Sequence, residues 1–431
     1  MVNTVKPKFY GFNDHRAEAM PSAAVERSHA YPLPEMINQR PTREGWLTFQ
    51  SYDHDSQSFR LPMMGEVVTA WLKAQEIEAA PSDAGLVARS MVAAVGGLNW
   101  TRLLANEAVL RQFDRMAHTR RERQDGIIED APARTATVNQ MHSMLKAIDK
   151  VSWGPPTTLQ RFVDIGALRL GLSVKCDHCG KRNWYDLDEV GAQVTCERCL
   201  AGFPFPQGVL PPKDAWRYRV VGPYAVPNLA GGAYGCLLTL NFFRSAMGMA
   251  PSMTYMTALD LTNGEEKLET DFFAWHDRDI GGWSVDGPSL LLGECKGFGT
   301  DVFKQKDVDR LRRLGEWLPG AFLVAACLKP SLSEDEKERF EALCRWGWGR
   351  PRVEGAPPSQ VIVLTGSELF DPDGMLRSLE KMEGPVEMNE TGLWDLADLA
   401  VASQKTYLGF TDEKMDEMRY GRRPTSVGKA Q

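Results

Sequence analysis

Four of the eight cysteines stand in two pairs with the spacing of a metal site. Two residues separate Cys176 from Cys179, two separate Cys196 from Cys199, and a hairpin-length insert lies between the pairs. Four thiolates in this arrangement suit tetrahedral Zn²⁺ in a closed structural site, without an open position for catalysis. In an intracellular chain such pairs indicate metal binding rather than disulfides. Gly180, directly after the first pair, supplies the positive φ that a knuckle turn needs.

The cysteine pattern leaves two questions open. His178 lies between the first two cysteines and could replace one of them as a ligand. The zinc ribbon could contact nucleic acid or a partner protein, or it could only stabilise the fold, because bound Zn²⁺ contributes about 10–16 kcal/mol of folding free energy. Its basic residues are offset by acidic ones, so the ribbon alone predicts no strongly basic surface.

A second constellation combines carboxylates with a lysine. Asp271 lies in a polar-bearing strand, and a turn-rich loop leads to an apolar strand that ends in Glu294 and Lys296. Side chains alternate along a strand, so Glu294 and Lys296 share one face. If the two strands form a hairpin, Asp271 approaches Glu294, and two facing carboxylates attract Mg²⁺, which prefers oxygen ligands. Lys296 would then stabilise charge that develops in the transition state of phosphodiester hydrolysis.

Thr270-Asp271 followed by Glu294-Cys295-Lys296 resembles the PD-(D/E)XK nuclease superfamily, which includes restriction endonucleases and many phage-defence and DNA-repair nucleases. The resemblance covers about residues 231–364, roughly a third of the chain. The chain departs from the family pattern in the threonine that replaces the proline, in the long interval between the two acidic residues, and in a first helix without an obvious glutamate.

The resemblance implies a role for each matching residue. Asp271 and Glu294 would hold Mg²⁺ (or Mn²⁺), and Lys296 would be the catalytic lysine. Glu269 would be an auxiliary acidic residue of the same site. The helix that follows would contribute a phosphate contact from Gln305 or Lys306. The rival explanation of Glu294 and Lys296 is a surface ion pair at a strand end.

Hydrophobic periodicity predicts the elements that position these residues. Their order, α-β-β-β-α-β-α-β, implies a mixed sheet flanked by helices, and Ser333 with Glu336 forms a capping box. The predicted helices are 232–246, 302–317 and 334–346, and the predicted strands are 253–261, 268–275, 289–296, 321–328 and 361–364.

The whole chain is expected to be a multidomain α and α/β protein. We predict a mostly helical N-terminal domain (1–150), a zinc ribbon region (151–225), a restriction-endonuclease-like domain (226–375), and a C-terminal extension with a flexible tail from about Asp412 (376–431). Within the first domain we expect helices from Gly65, after a cap at Ser82 or Asp83, at 100–118 and at 137–150, with a polar linker at 120–134.

Composition is that of an ordinary globular protein, with 25% charged and 43% hydrophobic residues. We expect a cytoplasmic protein without a membrane span, because no run of about 18 apolar residues occurs and the N-terminus has no signal-peptide pattern. A net charge of −7 argues against bulk electrostatic binding of nucleic acid but not against a local basic groove.

The expected partner is DNA. A partner ATPase or another defence subunit fits the resemblance, because the chain has no Gly-x-x-x-x-Gly-Lys loop of its own, and double-strand cleavage would favour a homodimer. The alternative function is a non-catalytic nucleic-acid-binding or scaffold subunit with a nuclease-like fold.

Three weaker signals have both a functional and a structural explanation. His276 follows the Asp271 strand, and the sequence does not decide which face of the sheet its side chain occupies. Trp346 and Trp348 could stack on bases or pack in the core. A basic stretch could contact a nucleic-acid backbone or be a solvated helix face; it contains Arg111, Arg115, Arg120, Arg121 and Arg123.

Overall fold

The computed structural model describes two compact units. One contains the described residues of 1–102 and 232–431, and the other those of 103–231. The described residues are 38–41, 46–50, 56–60, 63–117, 119–122, 128–131, 134–148, 158–205, 211–226, 229–245, 252–277, 288–299, 302–349, 359–370 and 396–420. Arg123 of the basic stretch and the tail after residue 420 lie outside them.

The helices and strands are numbered in chain order. The strands are β1 Asn38–Pro41, β2 Trp46–Gln50, β3 Ser56–Arg60, β4 Glu78–Pro81, β5 Thr119–Glu122, β6 Ile128–Ala131, β7 Ala136–Thr137, β8 Leu168–Lys175, β9 Arg182–Asp186, β10 Gln193–Thr195, β11 Gly202–Pro204, β12 Trp216–Val220, β13 Ser252–Asn263, β14 Glu266–Asp277, β15 Ser289–Lys296, β16 Phe322–Cys327 and β17 Val361–Leu364. The α-helices are α1 Met64–Ala74, α2 Asp83–Val95, α3 Glu107–Met116, α4 Val138–Ile148, α5 Leu159–Asp164, α6 Leu229–Ser245, α7 Gln305–Trp317, α8 Glu334–Gly349, α9 Gly366–Leu369, α10 Leu396–Leu408 and α11 Asp412–Tyr420.

The first unit is built on a six-stranded mixed sheet in the order β17-β16-β15-β14-β13-β4. β13, β14 and β15 pair antiparallel, whereas β15, β16 and β17 pair parallel. The order α6-β13-β14-β15-α7-β16-α8-β17 is the predicted one, and each element ends within a few residues of its predicted limits. A mixed sheet flanked by helices is therefore present.

Apolar patterning explains why these elements form. Every residue of β16 is buried, as expected of a central strand that is covered on both faces. In α7, Val308, Leu311 and Leu314 form a buried stripe at helical spacing. This stripe shares one hydrophobic core with Leu292 of β15 and Phe340 of α8.

The helices before residue 103 belong to this sheet and not to a separate helical domain. β4 pairs with β13 and is the edge strand of the sheet, and Val68 and Leu72 of α1 lie in the core of the sheet. Ser82 caps α2, because its Oγ accepts the Gly85 N–H at 3.2 Å. The predicted domain boundary at residue 150 is therefore wrong, and the boundary lies near residue 102. The physical reason is that an apolar helix face and an edge strand from the N-terminal region complete the sheet.

The second unit begins earlier than the predicted ribbon region. Its sheet has the order β7-β12-β8-β9, and a separate hairpin joins β10 to β11. Phe113 of α3 packs against Phe162 of α5 and against Tyr224, which ties residues before 150 to this unit. The predicted helix 100–118 is interrupted before α3, where the Asn106 side chain accepts the Val109 N–H. Part of the predicted polar linker forms the paired strands β5 and β6.

Residues 396–420 of the C-terminal extension form two packed helices. The side chains of Ser403 and Gln404 in α10 bond the backbone of β17 at 3.0 and 2.7 Å. Met415 of α11 is buried in the core of the first unit, so residues 412–420 are a packed helix and not a flexible tail. No helix in the described part of the chain is long and apolar enough to cross a membrane.

Candidate active site and cysteine cluster

The register of β14 and β15 brings Asp271 beside Glu294. The pairing of β14 with β15 ends where Phe272 lies opposite Gly293, and Asp271 and Glu294 each stand one residue beyond that pair. On its other side, β14 pairs with β13 at Phe272 and at Thr270, while Asp271 between them is left out of the ladder. The Asp271 carboxylate accepts the backbone N–H of Cys295 at 2.5 Å. The strand therefore fixes this carboxylate at the end of β15.

Two residues hold the hairpin in this register. The hydroxyl of Thr270 is buried and lies 2.9 and 3.0 Å from the carbonyl oxygens of Phe272 and Gly293. The Phe272 ring lies so close to Gly293 that a Cβ there would be 1.8 Å from a ring carbon. Glycine is therefore required directly before Glu294.

Glu294 is at the centre of an ion-pair network. It is 1% exposed, and its Oε1 lies 2.5 Å from Lys296 Nζ and 2.5 Å from Arg310 Nη2. The two cations also contact Asp307 Oδ1, at 3.1 and 3.2 Å. Glu294 and Lys296 thus lie on one face, as predicted. Because Glu294 is buried, their contact is not the surface ion pair of the rival explanation.

Burial and charge shift the pKa values of these groups. Burial and the neighbouring Glu294 raise the pKa of Asp271 to about 8. Burial raises the pKa of Glu294 too, although Lys296 and Arg310 oppose the shift. Burial acts against the charge of Lys296, but Glu294 and Asp307 outweigh it and raise its pKa. Lys296 is therefore a cation at neutral pH. A positive charge close to Asp271 would favour the ionised form of its carboxyl group.

A groove of about 720 Å³ opens beside this network. Five basic and three acidic side chains line it, together with two apolar ones. A groove with this excess of cations suits a polyanion more than a neutral ligand. The lining residues are Leu268, Glu269, Lys296, Val302, Lys304, Lys306, Asp307, Asp309, Arg310 and Arg313.

The other predicted phosphate and acidic contacts lie at this groove or next to it. Glu269 Oε2 is 3.6 Å from Arg310 Nη1. Lys306 is exposed and lines the groove, whereas Gln305 bonds Asp309 on its own helix at 2.9 Å.

Arg310 and Asp307 are members of the network that the sequence did not predict. They stand three residues apart on α7, so they share one face of the helix that follows the Glu294 strand. That spacing of a basic and an acidic residue next to the apolar stripe was the signal that could have identified them.

Four residues of the weaker signals have structural explanations: His276, Trp346, Trp348 and Arg111. His276 is buried, and its Nε2 lies 3.2 Å from the carbonyl oxygen of Phe243, so it packs against α6. Trp346 and Trp348 pack against the core of the first unit, and the Trp348 indole N–H lies 3.2 Å from Gln404 Oε1. Arg111 bonds Glu107 on the same helix at 2.7 Å. For Arg120 and Arg121 only the backbone lies within the described part.

The four paired cysteines form one cluster. Their sulfur atoms all lie within 4.8 Å of one another, and Cys176 to Cys199 and Cys179 to Cys196 are 3.7 and 3.6 Å apart. Tetrahedral zinc with bonds of about 2.3 Å places its sulfur ligands about 3.8 Å apart. Within the described residues this is the one group of three or more potential ligands this close together.

The two cysteine knuckles share their backbone geometry. Gly180 N–H donates to the Cys176 carbonyl and Leu200 N–H donates to the Cys196 carbonyl, both at 2.9 Å. Gly180 has φ +72°, as the sequence predicted, and Leu200 has φ +57° at the equivalent position. His178 is exposed and lies outside the cluster. The four thiols could therefore bind a metal such as zinc.

Comparison of the chain with family models, with curated proteins and with solved structures finds no match.

Proposed function

We propose that this chain is a divalent-metal-dependent nuclease that hydrolyses phosphodiester bonds of DNA, and that its first unit is a restriction-endonuclease-like domain. The observation that carries the proposal is the buried network at the end of β15, where Glu294 meets Lys296 and Arg310 beside a basic groove. Buried charge is costly, so a cluster of this size at a groove is better explained by function than by stability.

The donor set suits a hard cation. The network has four carboxylates, of Asp271, Glu269, Glu294 and Asp307, but only two basic partners among the residues that contact them there. Two negative charges would thus remain when all six groups ionise, and Glu294 adds to the effect of burial in raising the pKa of Asp271. Mg²⁺ or Mn²⁺ would balance it, with Asp271 and Glu294 as the ligands. When bound, the cation would supply Lewis-acid stabilisation of the phosphoryl oxygen and a more acidic water.

The chain's own residues have distinct parts in this proposal. The Cys295 N–H holds the Asp271 carboxylate in place. Lys296 keeps its proton and would stabilise the negative charge that builds up on the attacked phosphate. Lys304 and Lys306, both exposed, would bind the neighbouring phosphates of the strand along the groove.

A second candidate is a nucleic-acid-binding scaffold that does not cut. One observation favours it: Glu294 does not line the groove, and its Oε1 is already held by two cations at 2.5 Å. A carboxylate neutralised in this way needs no metal. The scaffold would bind DNA equally well with or without Mg²⁺ and Glu294.

Plasmid cleavage separates the two candidates. Supercoiled plasmid is incubated with the full chain in EDTA, Mg²⁺ or Mn²⁺, beside Glu294→Ala, Lys296→Ala and the surface control Glu334→Ala. Metal-dependent nicking that both site variants lose and the control keeps is the expected result. Cleavage that survives both site substitutions would overturn the site. DNA binding without cleavage, unaffected by metal, would establish the scaffold.

We further propose that the cysteine cluster holds one structural Zn²⁺. The short ribbon has a small core of eight buried residues, so metal binding would supply much of its folding free energy. Elemental analysis of the purified chain should give one zinc per chain, and Cys196→Ser should lose it. A Cys196→Ser variant that retains zinc and its folded ribbon would exclude this role.

The resemblance also extends the proposal beyond the chain itself. A role in bacterial defence, a partner ATPase or other defence subunit, and a homodimer that cuts both strands belong to it. Light scattering of the full chain with and without a duplex tests the dimer.

A further inference from the structure

The second unit has a sheet face that collects positive charge from three strands. Side chains alternate between buried and accessible along β8, β9 and β12. The buried ones, such as Leu172 and Tyr185, form the ribbon core. We call the opposite, accessible side the basic sheet face; its basic and aromatic members are Arg169, Lys175, Arg182, Trp184, Arg217 and Arg219.

Cations stand directly opposite each other on this face. Lys175 pairs across the strands with Arg182, and Arg169 pairs with Arg219. Like charges directly opposite each other destabilise a sheet. Asp186 offsets one of them, because it bonds Arg169 at 3.0 Å. Among the described residues Lys175 and Arg182 have no such acidic partner, so a bound anion would relieve their repulsion.

The indole ring of Trp184 lies between the basic side chains of this face. The Trp184 ring crosses β8 over Gly171, where a Cβ would lie 2.5 Å from the ring. Its N–H donates to the carbonyl of Arg217 on β12 at 3.0 Å, which fixes the ring across the sheet. The Arg219 guanidinium stands 5.4 Å from the ring centroid. A glycine at residue 171 thus makes room for an aromatic surface between basic side chains.

From this juxtaposition we propose that the basic sheet face is a second nucleic-acid site, which binds a single strand with its phosphates on the cations and a base stacked near Trp184. Aromatic platforms within a basic surface bind single strands, because every unpaired base offers a π face. In a duplex the base faces are already stacked on one another. The whole chain has a net charge of −7, so the surplus of cations on this face is a local feature and not a consequence of the overall composition.

The test uses the full chain with Glu294→Ala, so that the result does not depend on cleavage. Fluorescence anisotropy measures binding of a labelled oligodeoxynucleotide, single-stranded or annealed, over a range of salt concentrations without Mg²⁺. Lys175→Ala with Arg182→Ala should weaken single-strand binding and reduce the salt slope by about 1.4, or about 0.7 for each lost phosphate contact. Trp184→Ala should weaken it by about tenfold, and Trp184→Phe should restore most of the loss.

Controls make the outcome decisive. Arg111→Ala with Arg115→Ala removes the same charge from α3 of the same unit and should leave the affinity nearly unchanged. Zinc content and melting temperature verify that each variant folds. The proposal is overturned if the face variants bind single strands as the parent does, if they lose as much affinity for duplex as for single strand, or if polyglutamate competes as well as a strand of equal charge, which would indicate an acidic protein partner.

Discussion

Arg310 Nη2 and Glu294 Oε1 lie 2.5 Å apart, and the same oxygen receives Lys296 Nζ at 2.5 Å. The lysine belongs to the same strand as the carboxylate, whereas the arginine comes from the helix that follows. The pair therefore couples the end of β15 to the first turns of α7. A change at the end of β15 would therefore alter the position of the cations in the groove, because Arg310 and Lys296 both line it.

Arg310 should be needed for cleavage. Arg310→Met removes a fixed positive charge from the groove and should lower the single-turnover rate by roughly 10²–10³, the loss typical of one electrostatic contact in a transition state. Arg312→Met is the matched control, since this exposed arginine of the same helix pairs with Glu316 and does not line the groove, so its loss should cost less than about threefold. Equal losses in both variants would mean that only bulk charge matters.

Gly293 should tolerate no side chain. Gly293→Ala places a Cβ within the Phe272 ring and should lower the free energy of unfolding by about 1–3 kcal/mol, as overpacking does. Phe272→Leu in the same chain should recover part of this loss, which urea denaturation of the four variants of the cycle would show. Gly232→Ala in α6, where nothing lies within 4 Å of the added Cβ, should be neutral or stabilising.

Glu336 should contribute to the acid side of the stability profile. Burial opposes its charge, but Lys329 and the N–H groups of Ser333 and Phe303 outweigh burial and hold its pKa below the usual value. A lowered pKa stabilises the fold above the unfolded-state pKa, about 4.3, and this contribution disappears as pH falls through the folded-state pKa.

Thermal melts from pH 7 to pH 3 check this assignment. Glu336→Gln should cost about 3 kcal/mol at pH 7, because it leaves the ammonium of Lys329 buried without its partner. The difference from wild type should shrink as pH falls below about 4.3. Glu334→Gln, at a carboxylate that is 84% exposed, should leave the stability unchanged at both pH 7 and pH 3. A difference that stays constant with pH would refute the assignment.

Exchanging leucine and glycine at the positive-φ positions of the two cysteine knuckles should have opposite effects on the stability of the ribbon. Leu200→Gly should stabilise the ribbon by up to about 1 kcal/mol, because Leu200 has φ +57° and is 77% exposed. Gly180→Leu forces a side chain into φ +72° and should destabilise it by about 1–2 kcal/mol. Zinc retention against a competing chelator measures both. Two changes of the same sign would contradict the strain argument.

Much of the first unit could be predicted from the sequence, because its elements are long and strongly patterned. β15 is apolar up to Glu294, α7 carries an apolar stripe, and their limits were predicted within a few residues. The pairing of β4 with β13 could not be predicted, since four residues of edge strand have little pattern of their own. The domain boundary near residue 102 escaped prediction for the same reason.

By itself the sequence determined the four-cysteine cluster and the shared face of Glu294 and Lys296, because both follow from short-range spacing in a knuckle or along one strand. Only the tertiary structure decided what surrounds them. Arg310 reaches Glu294 across a helix–strand contact, and the basic sheet face gathers Lys175, Trp184 and Arg219 from three strands. Contacts between residues distant in the chain depend on how elements pair and pack, and local spacing does not encode that pairing.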